Sequence, residues 1–194
     1  MANRLTLICH GATAALRAGA FPRDEPLEPL ALAQTQAWRG RLRRPDGVRT
    51  SPAERARETA RALGFEAEND EDLRDWDCGL WAGRTFTEVD TAYPGALALW
   101  RGEPQAAPHG GESLAALIAR MEAWLDRQRE GHGHVIACTH AANVRAIAVG
   151  LLQAPPGAFW QIDVAPLTRS DLRTDGRRWT LRTLGQPLDP PPDA

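Results

Sequence analysis

RLTLICHGAT, residues 4–13, is a short apolar run that stops at a histidine and a glycine. Arg4–Cys9 is too short for an amphipathic helix and reads as a buried strand feeding a loop at His10-Gly11. VIACTH, residues 135–140, repeats the arrangement: Val135–Thr139 as a buried strand, then His140, then a helix from about Ala142 to Leu152. Between them Val48–Thr50 forms a brief strand that runs into SPAERARETA, residues 51–60. There Ser51 as N-cap, Pro52 at the first helical position and Glu54 closing a capping box predict a helix to Leu63, ended by Gly64. Strands alternating with helices imply an α/β fold: a three-layer sandwich with a mainly parallel central sheet and helices on both faces.

The intervening chain is filled in the same way. A helix is expected from Pro29 to Leu42 and a strand over Phe65–Glu68. Asn69–Gly111 is irregular, rich in Trp, Gly, Pro and acids, with short helices near Phe86–Tyr93 and Gly95–Trp100. Ser113–Arg129 carries Leu114, Leu117, Ile118, Met121 and Leu125 at helical spacing. Phe159–Leu184 alternates as strands do, around an Asp175-Gly176 turn. There is no repeat and no linker, so residues 1–185 are expected to form one domain and QPLDPPPDA, residues 186–194, a disordered tail.

Composition narrows the class. A chain of 194 residues, 43% hydrophobic and 25% charged, is ordinary for a globular protein. It contains no apolar run of 18 residues and no secretory leader pattern, so no membrane association is expected. A net charge of −2 argues against a nucleic-acid partner. Cys9, Cys78 and Cys138 have no paired spacing, which points to a reducing, cytoplasmic setting. A homodimer is compatible with the sequence. All 23 basic residues are arginine, so a phosphate site must be made of Arg, His, hydroxyls and backbone N–H groups.

Three loops after strands carry His10, Arg55 and His140. In an open α/β sheet such loops meet at the carboxyl ends of the strands, where ligands bind, and helix N-termini there favour an anion. ICHGAT (8–13), SPAERARETA (51–60), LRDWDCGLWAG (73–83), Gly111-Glu112-Ser113 and VIACTH (135–140), taken in order, resemble the histidine phosphatase (phosphoglycerate mutase-like) superfamily.

The resemblance implies an α/β sandwich and hydrolysis of a small phosphorylated metabolite through a phosphohistidine on His10, without cofactor or metal. Arg55, His140, Thr13 and the backbone at Ala141 would hold the phosphoryl group, and Asp75, at the family's glutamate position, would be the proton donor. A binder without turnover and a phosphoglycerate mutase-type phosphotransferase are the alternatives, although the middle region is short for a mutase. The chain departs from the pattern at Cys9 (arginine in the family), Leu16 (asparagine), Ala82 (glutamate) and Ala141 (glycine). A lost phosphate-clamping arginine can cost about 10³- to 10⁵-fold in rate. Arg17 or Arg23 could replace it, Arg23 being preferred because FPRDEPL (21–27) is bordered by prolines.

Other chemistries fit less well. A thiol phosphatase on Cys9 needs an arginine six residues later, where Ala15 stands. A zinc site from His132, His134, Cys138 and His140 would share its strand face with Ile136, which suits no zinc cage. Trp76 and Trp81 are expected to line the pocket.

Overall fold

The computed structural model describes residues 3–131 and 133–188. β1 (Asn3–Cys9) runs through the middle of a six-stranded sheet. It pairs in parallel with β4 (His134–Thr139) and antiparallel with β5 (Thr168–Thr174). Beyond β4 lie β2 (Gly47–Thr50) and β3 (Glu68–Asn69), both parallel, and beyond β5 lies the antiparallel edge strand β6 (Trp179–Pro187). The sheet is therefore mostly parallel with an antiparallel hairpin at one side.

Alternation along β1 divides the core. Leu5, Leu7 and Cys9 face one layer, where α6 (Leu114–Arg127) and α7 (Ala141–Leu151) bury Leu117, Met121, Trp124 and Ile147. Ile8 faces the other, with Ile136 and Cys138 against Ala60 of α3 (Glu54–Ala62), Leu63 at its C-cap and Trp38 just beyond α2 (Pro29–Gln36). Register then places the chemistry. Cys9 pairs with Thr139 and Thr50 with Cys138, so β1, β2 and β4 end level, and His10, Ser51 and His140 leave the sheet together.

Several expected elements change. α2 stops at Gln36 rather than Leu42, because the chain closes into three-residue turns through Arg41 around Gly40, whose φ is +72°. The Ser51 capping box does not form. The Ser51 hydroxyl meets His140 and accepts from the Ala53 N–H instead, and the Glu54 N–H finds Asp24 Oδ1 at 2.6 Å. Freed from capping, the Glu54 carboxylate pairs with Arg57 and Arg61. Phe159, expected in a strand, lies in a 3₁₀ segment, Pro156–Gln161. The Asp175-Gly176 turn does form, with Asp175 Oδ1 accepting from the N–H groups of Arg177 and Arg178. Gln186 and Pro187, expected in the disordered tail, pair in β6 with Arg169 and Thr168. The rest of that tail from 189 and the His132 of the discarded zinc reading lie outside the described residues.

In the irregular middle, α4 (Phe86–Ala92) begins with a true capping box between Thr85 and Glu88, and α5 (Ala96–Gly102) follows. Among the described residues no helix is long and apolar enough to cross a membrane.

Candidate active site

His10 stands at the carboxyl end of β1, and its ring state follows from one contact. Nδ1 lies 2.7 Å from the Gly11 carbonyl, which can only accept, so Nδ1 carries the proton and Nε2 keeps its lone pair. Burial, with His140 and Arg55 beside it, pushes the pKa down to about 3, so the imidazole is neutral at ordinary pH. Thr59 fixes the loop: its Oγ1 donates to the Arg55 carbonyl and accepts the Gly11 N–H at 3.2 Å.

Arg55 comes from the first turn of α3 and is 3% exposed. Its guanidinium donates to the Arg23 carbonyl at 2.5 Å and to Asp75 Oδ2 at 2.6 Å. The His140 ring packs edge-on to that of His10, with centroids 5.1 Å apart. Its Nε2 is 2.7 Å from Ser51 Oγ, and its Nδ1 is 3.2 Å from Asp75 Oδ2. Burial would raise the Asp75 carboxyl, but attraction to His140 and Arg55 wins and holds it well below the usual carboxylate range.

The Asp75 segment is itself anchored. Asn143 Nδ2, from α7, donates to the carbonyls of Leu73 and Arg74, both at 2.9 Å. Arg120 grips Glu112 with two bonds and donates to the Asp72 and Arg74 carbonyls, while Trp76 Nε1 donates to the Glu112 carbonyl at 2.6 Å.

These groups form the floor of one cavity of about 750 Å³, lined by His10, Thr13, Arg55, Asp75, His140 and Ala141. Thr13 Oγ1 caps α1 (Ala14–Arg17) and is buried there. Ala141 opens α7 and lines the cavity together with Ala142. The walls are aromatic. Trp76, Trp100, Phe159 and Trp160 interlock with centroids 4.8–5.9 Å apart, and Leu16, 53% exposed, stands at the rim.

Two expected wall and charge assignments fail. Trp81 is fully buried in the core beside Phe21 and Trp100 and does not line the cavity. The Arg23 side chain turns outward, donating from Nε to the Ala82 carbonyl and packing over Gly83, so only its backbone serves the site, as the acceptor for Arg55. Arg17 pairs with Glu28 and is 72% exposed. Neither arginine stands in for the one absent at Cys9. The Cys9 thiol is pushed up to about 12, by burial first and then by Asp75, so it is uncharged. Thr59, Asn143 and Arg145, which lines the cavity from α7, were not among the expected site residues. Thr59 lies within the quoted SPAERARETA segment, whereas Asn143 and Arg145 carry no signal beyond following His140.

Comparison with known proteins identifies the family. The profile of the histidine phosphatase superfamily (branch 1) matches residues 5–187. A bifunctional protein of Mycobacterium tuberculosis is 30% identical over 187 residues, 90% of this chain and 51% of its own, so the chain spans about half the length of that relative. Phosphoserine phosphatase 1 of Hydrogenobacter thermophilus is 29% identical over 140 residues, 69% of this chain and 66% of its own. The mycobacterial glucosyl-3-phosphoglycerate phosphatase solved with VO3 superposes with a TM-score of 0.83 at 26% identity, covering 94% of this chain and 98% of that one. With its profile matched almost end to end and phosphatases among its relatives, the chain belongs to the histidine phosphatase superfamily, branch 1.

Proposed function

We propose that the protein is a phosphatase that hydrolyses a small phosphomonoester through a phosphohistidine on His10. The observation that carries this reading is the locked His10 ring: neutral, with Nδ1–H tied to the Gly11 carbonyl and the Nε2 lone pair left for attack. Nε2 bonds to phosphorus as the ester P–O bond breaks, and the leaving alkoxide takes a proton. Water then attacks phosphorus, the N–P bond breaks, and neutral His10 and inorganic phosphate remain.

Asp75 is the proton donor in this scheme. It starts ionised, but a bound phosphoryl dianion competes for Arg55 and His140 and adds negative charge beside it. Both effects raise its pKa towards protonation. Arg55, Thr13, His140 and the first N–H groups of α7 then face the equatorial oxygens. The similar proteins act, by name, on phosphoserine and glucosyl-3-phosphoglycerate, which supports an organic phosphomonoester as the substrate class. The cavity has room for a leaving group well beyond the phosphate itself.

Rapid acid-free quenching with a labelled phosphomonoester tests the scheme. An adduct that is labile in acid and stable in alkali is expected on the wild type, and none on His10→Ala. A second reading, binding without turnover, is favoured by one observation: the Arg55 charge is already matched by Asp75 at 2.6 Å. A preparation that binds vanadate yet releases no phosphate from a panel of phosphomonoesters would establish that reading instead.

A further inference from the structure

On the floor of the cavity Asp75 faces both Arg55 and the His140 ring before any substrate arrives. Arg55 is paired with Asp75, His10 is neutral, and Cys9 beside it is an uncharged thiol. A phosphomonoester dianion brought into such a floor competes with Asp75 for both groups, and a buried dianion is stabilised by a further counter-charge. The rest of the lining can supply one.

Arg145 has the properties required. It lies one turn along α7 from Ala141 and lines the same cavity. Its side chain is 26% exposed, yet its nearest carboxylate is Asp163 at 3.6 Å, a residue 94% exposed. By contrast Arg4, Arg55 and Arg120, the other well-covered arginines in ion pairs, each hold a carboxylate at 2.9 Å or less. The Arg145 Nε–H is buried without an acceptor among the described residues, and its guanidinium rests 5.8 Å from the centre of the Phe159 ring. A buried donor without a partner is unfavourable, and a ligand oxygen would satisfy it. Arg145 and Arg55 both oppose the effect of Asp75 on the Cys9 thiol. Arg101, the remaining cation of the lining, is exposed and sits over Trp160 at 5.3 Å, on the outer wall.

We infer that Arg145 binds the phosphoryl group itself, supplying from α7 the positive charge that Cys9 does not. The inference rests on the phosphatase reading of the site. It adds a residue that touches the reacting group, and it separates this role from recognition of the leaving group.

Orthovanadate, which has no leaving group, is the probe. Arg145→Gln is expected to weaken vanadate binding by about ten-fold or more and to lower kcat/KM in step, with Arg145→Lys intermediate. Adding Cys9→Arg to Arg145→Gln is expected to restore binding. Melting temperatures show that each variant is folded; should Arg145→Gln not fold, the Arg145→Lys loss decides.

Vanadate affinity within two-fold of wild type in Arg145→Gln, with Arg55→Gln still weakening it, overturns the inference while leaving the site intact. A wild type that binds no vanadate, or an Arg55→Gln that binds it normally, means the phosphatase site itself is misassigned, and the inference falls with it.

Discussion

The floor and the wall of the cavity are built on opposite plans. On the floor directed bonds set the side chains: His10 meets the Gly11 carbonyl, Arg55 the Arg23 carbonyl and Asp75, and His140 the Ser51 hydroxyl. On the wall, Trp76, Trp100, Phe159 and Trp160 hold one another by ring packing, and no pair depends on one directed bond. Directed bonds fix atoms to a few tenths of an ångström, which in-line attack requires. Ring packing fixes a shape and tolerates variation in what fills it. The floor should thus control rate, and the wall should control which leaving groups fit.

Substitutions can break that division in descending order of effect. His10→Ala is expected to lower kcat by at least about 10⁴-fold, measured as phosphate release; residual turnover near wild type would remove the covalent route. Asp75→Asn is expected to cost about 10²- to 10³-fold with alkyl phosphates and much less with an aryl phosphate, whose acidic leaving group needs no proton. Equal losses on both would make Asp75 a structural ion-pair partner only.

Asn143→Ala removes the donors that pin the Leu73 and Arg74 carbonyls. It should destabilise the protein by about 1–3 kcal/mol in urea unfolding and lower kcat with little change in KM, because the Asp75 segment loosens. Trp160→Ala tests the wall. It should raise KM for a ring-bearing phosphomonoester by about three- to ten-fold while leaving vanadate affinity alone.

The smallest effect is on stability against pH. His10 has a folded pKa of about 3 against an ordinary 6.5. Below 6.5 the unfolded chain binds a proton there that the folded chain refuses. The His10 contribution is therefore complete above that pH and is lost as the pH falls towards 3. Between pH 7 and pH 5 the wild type should lose about 2 kcal/mol more than His10→Ala.

The sheet and the three loops were legible because apolar runs and their terminating histidines are local signals. β1, β2 and β4 lie within a residue of where periodicity put them. Ser51 misled because its hydroxyl has two suitors. Local rules assign it to the helix start, but His140, adjacent only after folding, takes it, and Asp24 satisfies the Glu54 N–H from another loop. Arg23 misled for a similar reason. Its loop does reach the site, but the backbone carbonyl makes the contact while the side chain lies over Gly83. Arg145 could not be selected from 23 arginines, since what marks it is the lack of a close carboxylate, a property of the folded molecule alone.

The central position of β1 has a consequence for how the molecule comes into being. His10 is near the start of the chain, yet its strand is held between partners supplied much later: Arg4 pairs with His134, and Leu5 with Leu172. Pairings so distant in sequence require large loops to close before they yield any stabilisation, and they slow folding. During synthesis α3 can coil and α6 can begin to collapse while the first strand still has no neighbours. β1 therefore gains both of its neighbours, and His10 its full setting, only once residues 134–139 and 168–174 have been made.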